Sequence, residues 1–250
     1  MINKKTILII LIVLNVFSWL VVWEISKERG LEICFFDVGQ GDSIFIEGPQ
    51  RQQILVDGGP DDSVIKKLES MMPFWDRSID LIVLTHPDKD HLFGLVEALR
   101  RYKVENILWT GVNSDSSLFQ EWKKAMEKEG ANVWIAEQGL NIDISTYRYI
   151  NVLYPFESLE NRNVSNLNDT SIVLMLDSNG RRALLPGDIS SRVEALLAEK
   201  GLSVGADILK VAHHGSRYST SEDFVKAVAP SVAVISAGEN NPYGHPSPDI

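Results

Sequence analysis

The sequence predicts an α/β or α+β domain preceded by one N-terminal membrane helix. Short β-branched runs alternate with helix-like stretches along most of the chain. An uncharged apolar segment lies close to the N-terminus. One strand-like run ends in a hexapeptide that is rich in metal-binding side chains. About 220 residues follow the first 30, enough for one domain with a sizeable core.

The first predicted element is a transmembrane anchor at residues 6–23, which carry no charge and are just long enough to cross a bilayer. Two lysines precede it, whereas the charges within the linker 24–30 cancel. The positive-inside rule therefore places residues 1–5 in the cytoplasm and the domain 31–250 outside the cell membrane. A cleaved signal peptide, and hence a secreted protein, is the alternative, although small residues before a cleavage site are missing.

The remaining elements follow from periodicity and from turn residues. Gly130 and Gly201 are typical of helix ends, and Asn179-Gly180 between two apolar runs predicts a hairpin. The predicted strands are 31–37, 43–47, 53–57, 80–84, 105–109, 132–135, 148–154, 171–176, 182–186, 206–211 and 231–236, and the predicted helices are 62–72, 92–102, 117–129, 190–200 and 220–228.

The hexapeptide at residues 86–91, His-Pro-Asp-Lys-Asp-His, follows the predicted strand 80–84 and precedes the predicted helix 92–102. Such strand ends are where α/β folds build their sites. A loop can turn two imidazoles and two carboxylates towards one or two cations. A solvent-exposed turn is the alternative, but two of the five histidines in the chain fall within this hexapeptide.

Residues 85–94, Thr-His-Pro-Asp-Lys-Asp-His-Leu-Phe-Gly, resemble the His-x-His-x-Asp-His-x-x-Gly signature of metallo-β-lactamase-fold hydrolases, with Asp88 in place of the second His. That replacement is similar to the soluble hydrolase-like domain of the ComEC family of competence DNA-uptake proteins. The resemblance covers residues 31–250 and implies a four-layer αββα sandwich. Further matching blocks follow in order at 36–43, 54–59, 168–174, 184–189, 209–216 and 243–248.

The resemblance also implies metal ligands. His86 would bind the first ion, Asp90 and His91 the second, and Asp188 would bridge both. Asp88 would bind the first ion directly or act through water, as an orienting group or a base. For Asp188, capping of the following helix is a compatible alternative.

Either His213 or His214 would supply the last ligand of the second ion. Because neighbours in extended backbone point to opposite faces, only one reaches the metal directly. We expect this to be His213, leaving His214 to contact substrate phosphate together with Ser216. Many relatives have a further His where this chain has Asn168-Asp169. Asp169 would be an oxygen ligand there, or Asn168 would hold a water.

The implied cofactor is a pair of divalent ions, Zn²⁺ or Mn²⁺, and the added carboxylates make Mg²⁺ possible as well. Asp88, Asp90 and His245 are the expected catalytic residues. His245 would contact phosphate or protonate the leaving group, with an ordinary surface loop as the alternative. Asp37 and Asp57 are expected to support turns or to orient the ligands.

The resemblance implies a phosphodiesterase, most simply a nuclease that degrades single-stranded DNA, or one strand during uptake, at the outer face of the membrane by metal-activated hydroxide. A membrane DNA-uptake channel would be its partner. The net charge of the chain argues against DNA as the substrate. Its 34 acidic and 24 basic residues give a net charge of −10, whereas nucleic-acid-binding proteins usually carry a basic surface.

Two alternatives therefore stay open. One is a hydrolase of a small ester, lactone or phosphodiester, and the other is a non-catalytic, metal-stabilised subunit of an uptake complex. The resemblance would continue into a last helix and strand beyond Ile250, so we expect the domain to be truncated or capped differently. The sequence predicts no oligomeric state.

Overall fold

A computed structural model describes residues 3–25 and 30–250, which form two compact units that divide after Gly30. The first unit contains helix α1, Lys4–Ile25. Its segment Lys4–Trp23 has a mean hydropathy of 2.6 and is long and apolar enough to cross a membrane. Residues 1, 2 and 26–29 of the predicted N-terminus and linker lie outside the described residues. The membrane orientation stays a prediction.

The second unit, Leu31–Ile250, contains two sheets and five helices. The strands are β1 Glu32–Phe35, β2 Ile44–Glu47, β3 Gln53–Val56, β4 Ser78–Val83, β5 Lys103–Trp109, β6 Asn132–Ile135, β7 Asn141–Ser145, β8 Arg148–Tyr154, β9 Val173–Ser178, β10 Arg181–Leu185, β11 Ile208–Lys210 and β12 Val232–Val234. The helices are α2 Ser63–Met71, α3 Lys89–Arg101, α4 Ser117–Glu129, α5 Ser191–Glu199 and α6 Glu222–Val228.

Each sheet has six strands, in the orders β1-β2-β3-β4-β5-β6 and β12-β11-β10-β9-β8-β7. Strands β3 to β6 pair in parallel, as do β10 to β12, and the other pairs are antiparallel. The carboxyl ends of neighbouring parallel strands lie at one edge of each sheet, which is where loops can gather polar side chains.

Three apolar layers hold the domain together. In β3, Ile54 and Val56 point between the two sheets, whereas Leu55 packs beneath helices α2, α3 and α4. On the other side, Val193 and Leu197 of α5 and side chains of α6 cover the second sheet. This alternation places helices outside both sheets, so the predicted four-layer αββα sandwich is confirmed.

The largest differences from the prediction concern one strand and one helix. Strand β7 was not predicted, because it is short and its polar residues alternate with only two apolar ones, Ile142 and Ile144. Helix α3 begins at Lys89, three residues before the predicted start, because Asp88 adopts the extended backbone of an N-cap. The hairpin prediction is confirmed: Asn179 and Gly180 have φ of 55° and 81°, as a tight two-residue turn requires, and join antiparallel β9 and β10.

Helix α3 packs unusually close to the turn after β3. The Gly58 N–H donates to the His91 carbonyl at 2.7 Å, and the Gly94 N–H donates to the Gly59 carbonyl at 3.2 Å. A Cβ at Gly94 would lie 1.9 Å from the Gly58 oxygen, and one at Gly58 would lie 2.3 Å from the Leu95 nitrogen. Two glycines therefore let the first turns of α3 lie directly against backbone.

Candidate metal centre

Side chains from both sheets converge at the edge where the parallel strands end. The turn after β3 supplies a carboxylate, and the loop after β4 with the first turn of α3 supplies the hexapeptide. The turns after β10 and β11 supply a further carboxylate and a histidine pair, and Asp42 joins them from the start of antiparallel β2. The converging residues are Asp42, Asp57, His86, Asp90, His91, Asp188 and His214.

Asp188 lies at the centre of this group. Its Oδ2 is 3.3 Å from His91 Nε2 and 3.1 Å from His214 Nε2. His86, His91 and Asp188 each offer a ligand atom within 4.8 Å of the others, and Asp90, His91 and His214 form a second such set. Two overlapping donor sets therefore share His91, and Asp188 lies next to both.

Each buried imidazole is held through its Nδ1 atom. His214 Nδ1 donates to the Ser236 carbonyl at 2.9 Å, and His91 Nδ1 is 2.8 Å from an oxygen of Asp57. Thr85 donates its hydroxyl proton to Asp57, so its oxygen can only accept from His86 Nδ1, 3.1 Å away. These contacts leave Nε2 of every ring directed at the centre.

The donor set fits a metal ion. Nε2 of His86, His91 and His214 are all buried, and none makes a well-formed hydrogen bond among the residues that the structure describes, although those of His91 and His214 face the Asp188 carboxylate. Buried polar atoms are otherwise nearly always paired. Three imidazole nitrogens facing a buried carboxylate can bind Zn²⁺ or Mn²⁺, with Asp88 and Asp90 as further oxygen donors.

Asp88 and Asp90 lie on the solvent side of the centre. Asp88 Oδ2 is 3.6 Å from His86 Nε2 and its side chain is 41% exposed, whereas Asp90 Oδ2 is 3.4 Å from His214 Nε2 and its side chain is 33% exposed. Asp90 was expected in a loop, but it lies with His91 in the first turn of α3. The centre is thus buried on its inner side and lined by the carboxylates of Asp88 and Asp90 on the side that faces solvent.

The histidine pair is not in extended backbone, the condition under which the two rings would point to opposite faces. His213 and His214 both have left-handed backbone, with φ of 50° and 56°. As a result the buried ring of His214 faces Asp188 at 3.1 Å, while His213 Nε2 lies 4.0 Å from Asp188 and 3.2 Å from Asn168 Nδ2. The geometry favours His214 over the predicted His213 as a ligand and places Asn168 beside His213.

Asp169 is engaged elsewhere. Its carboxylate accepts from the backbone and hydroxyl of Ser190, at 3.2 and 2.6 Å, and lies 3.6 Å from Arg192 Nε. These contacts bind it to the start of α5, so its position does not favour the predicted metal ligation. Asp188, for which helix capping was the alternative, instead faces the histidines.

The other predicted residues occupy different positions. His245 lies beside the pair, its ring centroid 5.7 Å from that of His213. Ser216 is buried, and its hydroxyl accepts from the Tyr218 N–H at 3.4 Å. Asp37 is exposed and accepts from the Gly39 N–H at 3.3 Å, so it makes a local turn. Asp57 is buried and contacts His91, which is a position from which it orients that ring.

Sequence analysis missed Lys210 and gave Asp42 no role. Lys210 is fully buried, forms an ion pair with Asp42 Oδ2, and lies 3.4 Å from Asp188 Oδ1. Asp42 also lies 3.4 Å from His214 Nδ1. The sequence feature that could have indicated a buried Lys210 is its position as a lone lysine in the apolar run before the histidine pair. A buried lysine normally needs an acidic partner.

These contacts shift the proton affinities of the centre. Burial alone would lower the pKa of His214, but Asp188 and Asp42 outweigh it and raise that pKa to about 11. Burial would also lower the pKa of His91, but Asp188 and Asp57 outweigh this effect and raise that pKa well above its usual value. The pKa of Asp188 is held well below its usual range by His91, His214 and Lys210 against the effect of burial. Without metal, the rings of His91 and His214 are therefore both in the protonated, positively charged form at neutral pH.

We expect metal binding to release about two protons per chain near pH 7, since a ligating histidine must be neutral. Because the pKa values of His91 and His214 are raised in the fold, protonation of these rings stabilises the metal-free fold. This stabilisation is complete below pH 6.5 and is lost as the pH rises towards about 11. Apparent metal affinity should therefore increase with pH. Isothermal titration calorimetry in buffers of different ionisation enthalpy measures the proton count. The His214→Gln variant should release one proton fewer, and a pH-independent affinity would contradict the prediction.

Comparison with known proteins identifies the family of the chain. Residues 36–239 match the Metallo-beta-lactamase superfamily. The chain is 30% identical over 236 residues to ComE operon protein 3 of Bacillus subtilis, covering 86% of this chain. It is 27% identical over 225 residues to competence protein ComA of Neisseria gonorrhoeae, covering 90% of this chain. The match spans only 29% of the length of each of these relatives.

Among solved structures, the chain is similar in fold to Igni18, a metallo hydrolase from Ignicoccus hospitalis. The TM-score is 0.56 at 14% identity, with 87% of both chains covered. The resemblance noted in residues 85–94 is thus confirmed by a match across most of the domain. The chain belongs to the metallo-beta-lactamase superfamily.

Proposed function

We propose that this chain is a metal-dependent phosphodiesterase that cleaves DNA at the outer face of the membrane. The three buried Nε2 atoms that converge around Asp188 without a well-formed hydrogen bond carry the proposal. A set of imidazole nitrogens directed at one side of a buried carboxylate, with two further carboxylates open to solvent, suits ester hydrolysis rather than a purely structural site.

In this proposal His86 and Asp88 would hold the first ion, Asp90, His91 and His214 would hold the second, and Asp188, which lies next to both sets, would be a further ligand. His214 thereby takes the role first expected for His213. The mixture of three imidazoles with three carboxylates is compatible with Zn²⁺ or Mn²⁺, and less so with Mg²⁺, which prefers oxygen. When bound, such ions supply hydroxide at neutral pH and neutralise charge that develops on the attacked phosphate.

The surrounding residues position this set. Asp57 fixes the ring of His91, and Ser236 fixes that of His214, so both rings keep Nε2 directed at the centre. Lys210 contacts Asp188 Oδ1 and leaves Oδ2 for the histidine side. We assign His245, which is partly exposed and whose ring lies beside that of His213, to contact the substrate phosphate.

DNA as the substrate is supported by the name of the relative from Neisseria gonorrhoeae, which is competence protein ComA. The position outside the membrane is supported by the two lysines that precede the apolar segment 6–23 and by the charges of residues 24–30, which cancel. A membrane DNA-uptake channel is the partner that this proposal implies, because the one apolar helix found among the described residues cannot by itself conduct DNA.

The test uses the full chain in detergent, stripped of metal and reloaded with Mn²⁺, Zn²⁺ or Mg²⁺. It is incubated with single- and double-stranded DNA labelled at the 5′ or the 3′ end. We expect metal-dependent cleavage that Asp90→Ala reduces about 100-fold or more, because a ligand loss should exceed the 10- to 100-fold effect of supporting residues.

The matched control is Asp115→Ala, which removes an exposed carboxylate and should leave cleavage unchanged. Absence of cleavage with every metal, although metal is bound stoichiometrically, would contradict the DNA proposal. Hydrolysis of small phosphodiesters or lactones should then be measured instead.

A further inference from the structure

The loop 238–247 is built around the side chain of Asn241. Its Oδ1 accepts from the backbone N–H groups of Tyr243 and His245, at 3.1 and 3.0 Å, and its Nδ2 donates to the Gly238 carbonyl at 2.8 Å. The Ser247 N–H donates to the Gly215 carbonyl at 2.8 Å, which fastens the loop to the turn that carries the histidine pair. The loop is therefore pre-organised next to the metal centre.

A row of aromatic rings leads along this loop from solvent to the centre. The Tyr243 ring stacks on His245 with centroids 5.7 Å apart and planes inclined by 29°. The His245 ring lies 5.7 Å from His213 and 6.4 Å from the buried ring of His214. Tyr243 is 68% exposed and belongs to none of the three apolar layers. Its outer face is thus available to a planar ligand.

The charge of the chain bears on what that ligand is. A net charge of −10 is a poor basis for binding a polyanion through many phosphate contacts. Binding of single strands can instead rest on aromatic side chains, because every base has a face that can stack. A paired duplex keeps its base faces covered, whereas an unpaired base next to the attacked phosphate can reach Tyr243.

We propose that Tyr243, backed by His245, is the stacking site for an unpaired nucleobase through which the chain favours a single strand. This inference rests on the proposed DNA cleavage and names a residue that determines its specificity. The base stacks on the exposed Tyr243 ring while its phosphate lies at the carboxylate-lined front of the centre. Tyr243 positions the substrate and takes no part in bond cleavage.

The test measures binding apart from cleavage. The full chain carrying Asp90→Ala is titrated in detergent with a short single-stranded DNA that contains 2-aminopurine, whose fluorescence is quenched on stacking. Adding Tyr243→Ala should weaken binding by about 5- to 150-fold and abolish the quenching. Adding Tyr243→Phe should preserve both, because the ring face remains. Tyr147→Ala removes a 77% exposed tyrosine at the β7–β8 turn and should change neither.

The outcomes separate the two proposals. If Tyr243→Ala binds and quenches like its parent while the unsubstituted chain cleaves DNA, the stacking site is refuted and the proposed function stands. If quenching depends on Tyr243 but no metal gives cleavage, the stacking site stands and the nuclease proposal fails. Tighter binding of a blunt duplex than of the single strand would also overturn the selection that we infer.

Discussion

Lys210→Met is expected to lower the free energy of unfolding of the metal-free chain by about 3–5 kcal/mol, the usual cost of removing one partner of a buried ion pair. Lys210 is fully buried between Asp42 and Asp188. Burial alone would lower its pKa, but the two carboxylates outweigh that effect and raise it, so the ammonium is charged in the fold. Its loss leaves both carboxylates without that cation. Urea unfolding of the chain in detergent measures the change.

Two controls isolate this effect. Lys66→Met removes an exposed lysine on α2 and should change the stability by no more than about 0.5 kcal/mol. Asp42→Asn combined with Lys210→Met removes both charges of the pair and should recover part of the loss, because the uncompensated carboxylate is gone. If Lys210→Met unfolds at the same urea concentration as the unsubstituted chain, the buried cation has no stabilising role.

Gly94→Ala is expected to destabilise the domain by about 3 kcal/mol or more, at the upper end of overpacking effects. The added Cβ would lie 1.9 Å from the Gly58 oxygen, and backbone cannot move aside as a flexible side chain can. Helix α3 must therefore shift outward, and Asp90 and His91 in its first turn shift with it. We expect metal affinity to fall together with stability, as measured by urea unfolding and by calorimetric metal titration.

The matched control is Gly130→Ala at the end of α4. Gly130 has a left-handed φ of 68°, but an added Cβ would meet nothing within 4 Å. Its substitution should cost about 1 kcal/mol through backbone strain alone and leave metal affinity unchanged. Equal effects of the two substitutions would refute the close packing of α3 as the cause.

The general order of strands and helices could be predicted because most elements bury a continuous apolar face. β7 could not, since it lies at the edge of its sheet and only Ile142 and Ile144 face inward. Periodicity alone predicted no more than an α/β or α+β domain. The arrangement of two packed sheets came from the resemblance in residues 85–94 and its companion blocks, because strand order depends on contacts far apart in the sequence.

The residues of the centre were largely found from the sequence, but their individual positions were not. The left-handed backbone at His213 and His214 cannot be inferred from residue type, because few residues other than glycine adopt it. That conformation decides which ring faces Asp188. Lys210 was missed because a lysine within a strand usually reaches solvent, and only the tertiary structure brings Asp42 next to it.

The buried pair of Lys210 and Asp42 also joins the two halves of the sandwich, since Asp42 precedes β2 of one sheet and Lys210 ends β11 of the other. The apolar contacts between the sheets are non-directional and would tolerate a small lateral slip. An ammonium that must contact a carboxylate allows much less lateral slip between the sheets. The pair of Lys210 and Asp42 therefore fixes the lateral position of one sheet on the other before any cation is bound.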